Sequence, residues 1–128
     1  MRRRIIHLLL ACALLISVSG CAPLIIGGAV GALGAYAVSK DTIQGETDKS
    51  YESLWESAIY LCRARGIIRS EDMTSGRIEL NTESSRVWIR LIRVTRSTVR
   101  LRVSARKFHF PNMALAQDIY VKIIEGAR

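Results

Sequence analysis

Between residues 67 and 106 the chain alternates apolar and polar side chains with a period of two. It does so in four short runs, 67–71, 77–82, 86–94 and 99–106. No other feature restricts the fold as tightly. Successive side chains of a strand point to opposite faces, so this alternation predicts a sheet with one buried and one solvated face. The buried face takes Ile78 and Leu80, then Val87, Ile89 and Leu91, then Val99, Leu101 and Val103. Residues opposite one another in an antiparallel ladder share a face, which sets the register. Leu80 against Val87 requires an even loop, satisfied by a two-residue turn at Glu83-Ser84. Leu91 against Leu101 requires an odd one, satisfied by residues 95–97.

Helical patterns flank these runs. Ser50 is placed to cap a helix carrying Glu52 in its first turn, with Leu54, Trp55, Ala58, Leu61 and Cys62 on one face and Gly66 as its stop. Pro111 and Asn112 open a second helix that puts Met113, Ala116, Ile119, Tyr120 and Ile123 on one face. A polar, Thr-containing segment at 41–48 reads as an edge strand. The expected fold is therefore α+β, in the order β-α-β-β-β-β-α. It is a two-layer sandwich of a four- to five-stranded antiparallel sheet with both helices on one face.

The same register gathers arginines on the other face. Arg77, Arg90 and Arg102 fall side by side across three strands, joined by Arg86, Arg100 and Arg106 and by Trp88 and Ile92, with Glu79 as the one opposing carboxylate. Charge is distributed accordingly. Residues 84–128 hold ten Lys/Arg against two acidic residues, whereas residues 41–83 hold five against nine. A row of like charges across a ladder is destabilising unless solvent or a partner offsets it. This face reads either as a solvated surface whose arginines pack over Trp88 and Ile92, or as a surface for lipid phosphate, lipopolysaccharide, cell-wall carboxylates or an acidic protein.

The first 38 residues differ in composition from the rest and hold the excess of the chain's 49% hydrophobic content. Arg2, Arg3 and Arg4 precede an apolar run at 5–18 and the small residues Ser17, Ser19 and Gly20, the layout of an export signal. The apolar run is short of the roughly 20 residues of a membrane-spanning helix, although an uncleaved anchor is the alternative. Val18-Ser19-Gly20-Cys21 resembles a bacterial lipobox, in which the cysteine thiol is acylated and the peptide is cut before it. Several acyl chains, at about 0.8 kcal/mol per buried methylene, anchor a protein stably. Residues 1–20 thus read as a lipoprotein signal peptide, with Cys21 as the lipidation site. Residues 21–40 form a Gly/Ala-rich membrane-proximal segment and residues 41–128 the α+β domain. Gly27, Gly31 and Ala35 lie four apart, the small-residue spacing that lets membrane helices pack closely and self-associate. The segment reads as a short membrane-proximal helix or as a tether.

Taken together, these features resemble a family of small bacterial lipoproteins known as a domain of unknown function. The resemblance rests on Gly20-Cys21-Ala22-Pro23-Leu24, on Ala35-Tyr36 closing the Gly/Ala-rich run, on Ser50-Tyr51-Glu52-Ser53-Leu54-Trp55, and on Gly66 followed by Gly76-Arg77-Ile78-Glu79. It implies an anchor and a fold but no activity. Ala22 rather than aspartate after the cysteine is similar to lipoproteins sorted to the outer membrane in enteric bacteria.

Catalytic and metal signals are absent. Three cysteines without CxxC spacing give neither a disulfide framework nor a zinc site, and Cys62 reads as a small buried hydrophobe. His109, in a Lys-Phe-His-Phe-Pro-Asn context, reads as a packed loop residue, with no nucleophile placed beside it. The sequence thus predicts no enzyme, cofactor, metal or nucleic-acid partner. It predicts an envelope lipoprotein held by Cys21, facing the periplasm from the outer membrane. Its domain is a structural or protein-interaction module or, alternatively, binds anionic lipid, lipopolysaccharide or cell wall through the arginine face.

Overall fold

The computed structural model describes residues 4–7 and 34–128. Cys21, Gly27 and Gly31 lie outside the described residues, as does the cleavage region before Cys21. The chain is α+β. Among the described residues the order is β1 (Tyr36–Ser39), β2 (Thr42–Thr47), α1 (Tyr51–Arg65), β3 (Ile67–Asp72), β4 (Arg77–Asn81), β5 (Arg86–Arg93), β6 (Val99–Lys107), β7 (Phe110–Pro111) and α2 (Met113–Gly126). A further helical stretch covers residues 4–7, so three helical segments occur among the described residues rather than the expected two. All seven strands belong to one antiparallel sheet, in the order β1-β2-β6-β5-β4-β3, with β7 paired to β6.

The sheet is larger than the four to five strands expected. One extra strand is β1, whose Tyr36-Ala37-Val38-Ser39 lies within the stretch read as membrane-proximal. Ala35, the last of the three small residues, packs against the domain core. Because β1 pairs with the outer side of β2, the strand expected at the edge is an interior one. The other addition, β7, is a two-residue return of the chain before α2.

The register follows the alternation. Leu80 lies opposite Val87, and Leu91 opposite Leu101. The β4–β5 turn is the two residues Glu83-Ser84, closed by Thr82 N–H donating to Ser85 O at 2.9 Å. The β5–β6 loop is the three residues 95–97, closed by Val94 N–H to Thr98 O at 2.9 Å. One face of the sheet, with Ile43, Ile78, Leu80, Val87, Ile89, Leu91, Val99, Leu101 and Val103, is buried in a single cluster with side chains of both helices. From α1 come Tyr51, Leu54, Trp55, Ala58 and Cys62. From α2 come Ala116, Ile119, Tyr120, Ile123 and Ile124.

The helix ends follow their caps. Ser50 Oγ accepts from Ser53 N–H at 3.1 Å, and Asn112 Oδ1 from Leu115 N–H at 3.3 Å. Gly66 ends α1 in an extended conformation rather than a left-handed one. Its need for glycine is steric, since a Cβ there would stand 2.2 Å from Asn81 O on the neighbouring strand. The stop is a close approach of two backbones.

Candidate functional site

The face of the sheet opposite the core carries the arginines. Strict pairing lines up Arg77 with Arg90 and Arg90 with Arg102. The row continues through Gln44 on β2 to Tyr36 on β1, where Gln44 Nε2 donates to Tyr36 Oη at 2.8 Å. At its other end Asp72 stands opposite Arg77. The Asp72 carboxylate is nonetheless engaged by its own turn, with Ser75 Oγ donating to it at 2.8 Å and Thr74 N–H at 3.0 Å.

Arg86 and Arg106 pair four residues further toward the β4–β5 turn, and Arg100 pairs with Ile92 toward the other end. Trp88 lies between, opposite Ser104 and Glu79. All six arginines and the tryptophan thus share one face.

Their electrostatics differ from the expectation of a single opposing carboxylate. Arg100 binds Glu46 on β2 at 2.6 Å, Arg106 binds Asp41 at 2.5 Å, and Arg86 approaches Glu79 at 3.8 Å. The reason is topological. With β2 inside the sheet and next to β6, Glu46 is a cross-strand neighbour of Arg100, and the β1–β2 turn sets Asp41 beside Arg106. Ser39 Oγ donates to the Asp41 carboxyl; with the Arg106 and Thr42 bonds it outweighs burial and holds the pKa down at about 2. Glu46 in turn raises the affinity of Arg100 for its proton.

Arg77, Arg90 and Arg102 make no ion pair among the described residues. The face therefore splits into a set with ion-pair partners (Arg86, Arg100, Arg106) and a row of three without one, although Arg77 at its end feels the Asp72 carboxylate opposite. Trp88, 37% exposed, stands beside that row, with the Arg86 guanidinium 5.9 Å from its ring centre. A shallow depression along this boundary is lined by Asp41, Thr42, Trp88, Arg90, Arg102, Ser104 and Arg106, the Asp41 carboxylate being taken up by Arg106. Thr42 and Ser104 share a hydroxyl–hydroxyl bond at 2.6 Å. Hydroxyls and guanidinium groups around an aromatic ring suit a flat or multivalent anion.

Cys62 and His109 are the remaining candidates. Cys62 is fully buried in α1, and burial pushes its thiol up to about 12, which leaves essentially no thiolate at neutral pH. His109 is exposed at the β6–β7 turn rather than packed. No three His, Cys, Asp or Glu side chains gather as a metal site among the described residues. No helix among them is long and apolar enough to cross a membrane.

Sequence reasoning missed Asp41, Glu46 and Thr42, because their place on this face depends on the long-range pairing of β2 with β6. It also missed the exposed Phe108 and Phe110, whose signal was the aromatic pair in the Lys-Phe-His-Phe-Pro stretch.

Comparison with known families bears on the whole of this unit. The profile of a family described as a protein of unknown function (DUF3568) matches residues 4–108, from the N-terminal helical stretch through β6. The chain belongs to that family. The match takes in all six arginines and Trp88 but stops before α2, although α2 supplies Ile119, Tyr120 and Ile123 to the core. No curated protein and no solved structure matches the chain.

Proposed function

We propose that this DUF3568 protein is a bacterial lipoprotein, acylated at Cys21 and held at the outer membrane facing the periplasm. In this reading its domain works by binding rather than catalysis. The open arginine face is the binding surface, and its ligand is a multivalent anion such as a lipid phosphate, lipopolysaccharide or cell-wall carboxylate. We read the fold as two layers, sheet and paired helices, which leaves this face without a covering layer.

The observation that carries the proposal is the row Arg77–Arg90–Arg102, three adjacent arginines with no ion pair among the described residues, where their neighbours each have one. A domain that needed only solubility would gain nothing from aligning them, since like charges opposite one another cost stability. Anchorage of the domain at a membrane would bring the row within reach of headgroups, whose surface potential acts over about a Debye length.

A second reading, an acidic protein partner, is favoured by Trp88 and by Tyr36, which is 54% exposed at the end of the same row. Aromatic residues beside arginines are characteristic of protein interfaces.

Two experiments test the proposal. For the anchor, Cys21→Ser should leave an unprocessed precursor that no longer takes up labelled palmitate; unchanged uptake would reject the lipidation site. For the face, residues 34–128 should co-sediment with vesicles containing anionic lipid, and salt should release them. Absence of vesicle or lipopolysaccharide binding at low salt, with capture of an acidic envelope protein through the same arginines, would replace the first reading by the second.

A further inference from the structure

The chain returns from β6 to β7 through a hairpin whose central residues are Phe108 and His109, with Lys107 opposite Phe110. Phe108 is the one non-glycine residue with positive φ among the described residues, at 57°. Two-residue hairpin turns favour glycine at a first central position of positive φ, because a Cβ there crowds the backbone. A phenylalanine in that place is held against its local preference. Such outliers persist where a site requires them. Its ring gains no burial in exchange. Phe108 is 79% exposed and Phe110 74%, the one from a turn position and the other from the strand that follows.

The surroundings of this tip are basic. Lys107 is exposed beside it, and Arg86 and Arg106 pair across the strands at the same end of the sheet. With Phe108 and His109 these two arginines line a cleft facing the β4–β5 turn, where Glu83 is the one acidic residue. Arg106 is held by Asp41 and Arg86 lies 3.8 Å from Glu79, so Lys107 is the outward-facing charge of the tip without an ion pair.

We infer that the Phe108–Phe110 tip docks into the interfacial region of an anionic lipid bilayer. Shape favours a bilayer over a protein. Two rings offer about 150–250 Å² each, well below the roughly 800 Å² that each partner buries in a stable protein interface. A convex protein tip also needs a matching pocket in its partner, whereas a fluid bilayer makes room. Phenylalanine, like Trp and Leu, buries at the boundary of headgroups and acyl chains, and Lys and Arg stems lie along apolar surface while their charges reach phosphates. Lys107 complements an anionic leaflet, and the exposed Arg86, offset in part by Glu79, lies beside it. The tip uses none of Arg77, Arg90 and Arg102, so it is a second contact, independent of what the arginine row binds.

The test uses the full chain reconstituted into vesicles, with co-sedimentation checked for every variant. Phe108→Trp and Phe110→Trp are each compared with the parent, whose own Trp55 and Trp88 supply the background. In vesicles with anionic lipid and brominated acyl chains, the added emission should be blue-shifted and quenched by bromine. In purely zwitterionic vesicles both effects should shrink. Phe108→Gly should leave the melting temperature unchanged or raised. Combined with Phe110→Trp in one chain, it should abolish bromine quenching of the introduced indole. Added emission that stays red-shifted, escapes bromine in anionic vesicles and yields to aqueous iodide would overturn the inference. So would a tip shielded from iodide only on addition of a protein. If Arg77, Arg90 and Arg102 are all changed to Gln and the tip signal persists while headgroup binding is lost, the two contacts are distinct.

Discussion

Arg90 stands directly opposite Arg102 on the neighbouring strand, and neither guanidinium has an ion pair among the described residues. Arrangements of this kind store a small electrostatic cost, about 0.2–1 kcal/mol for like charges facing across a ladder. Arg90→Gln, which removes the middle charge of the row, should therefore raise stability by about that amount at low salt, and added salt should erase the gain. Arg100→Gln, which breaks the 2.6 Å contact with Glu46, should not raise it. Urea denaturation at two ionic strengths distinguishes the cases; equal shifts for both variants would mean that the row is not under repulsion.

Asp41 predicts the acid behaviour of the domain. Its carboxyl titrates at about 2 when folded, below the unfolded value near 3.9. A depressed pKa stabilises the fold above the unfolded pKa, and that contribution is lost as pH falls toward the folded one. The stability held by Asp41 should therefore be complete at neutral pH and drain away between about pH 5 and pH 2, to an extent of roughly 2 kcal/mol. Asp41→Asn should be less stable at pH 7 and show a flatter acid limb. Parallel acid limbs for the two proteins would contradict the assignment.

Gly76 carries φ +70° at the start of β4, and a Cβ there would lie 2.2 Å from Leu91 O. Its own carbonyl accepts from Leu91 N–H at 2.8 Å, so the two backbones cannot separate without losing that bond. Gly76→Ala should cost more than the roughly 1–2 kcal/mol of left-handed strain alone. Gly34 has a similar φ of +68° with nothing within 4 Å of its Cβ position, so Gly34→Ala should show the strain without the clash. Thermal melts of the two variants should rank them in that order.

The two tryptophans should separate by stability. Trp55 is 9% exposed in the core cluster and Trp88 is 37% exposed on the open face. Trp55→Ala should cost roughly 3–5 kcal/mol, a large part of the stability of so small a domain. Trp88→Ala should cost far less and should act on binding instead. Comparable losses in chemical denaturation would place both side chains in the core.

What could be read in advance was what depends on local pattern. Period two and a requirement for one buried face were enough to pair Leu80 with Val87 and Leu91 with Leu101, and therefore to align Arg77, Arg90 and Arg102. The helical faces were legible for the same reason, down to Trp55 and Tyr120. The outer strands were not. Tyr36-Ala37-Val38-Ser39 continues an apolar Gly/Ala-rich run, so nothing in its composition separates it from the segment before it. Its pairing with β2 is a local hairpin, and the long-range choice that puts Glu46 and Asp41 among the arginines is the pairing of β2 with β6. The Phe108 turn was hidden because its conformation runs against the preference of its residue. Local reading fails where tertiary structure or function overrides local propensity.

The central claim is that anion binding depends on where three arginines stand and not on the net charge of +8. It is tested most directly by two variants of equal charge. One replaces Arg77, Arg90 and Arg102 with Gln; the other replaces Arg63, Arg96 and Arg128, all exposed on α1, the β5–β6 loop and the C-terminus. Affinity for vesicles containing anionic lipid is measured for both at low salt. Three contacts of about 0.2–1 kcal/mol each predict a loss of roughly tenfold for the first variant and near-native affinity for the second. Equal losses in the two would show that the row is not the site.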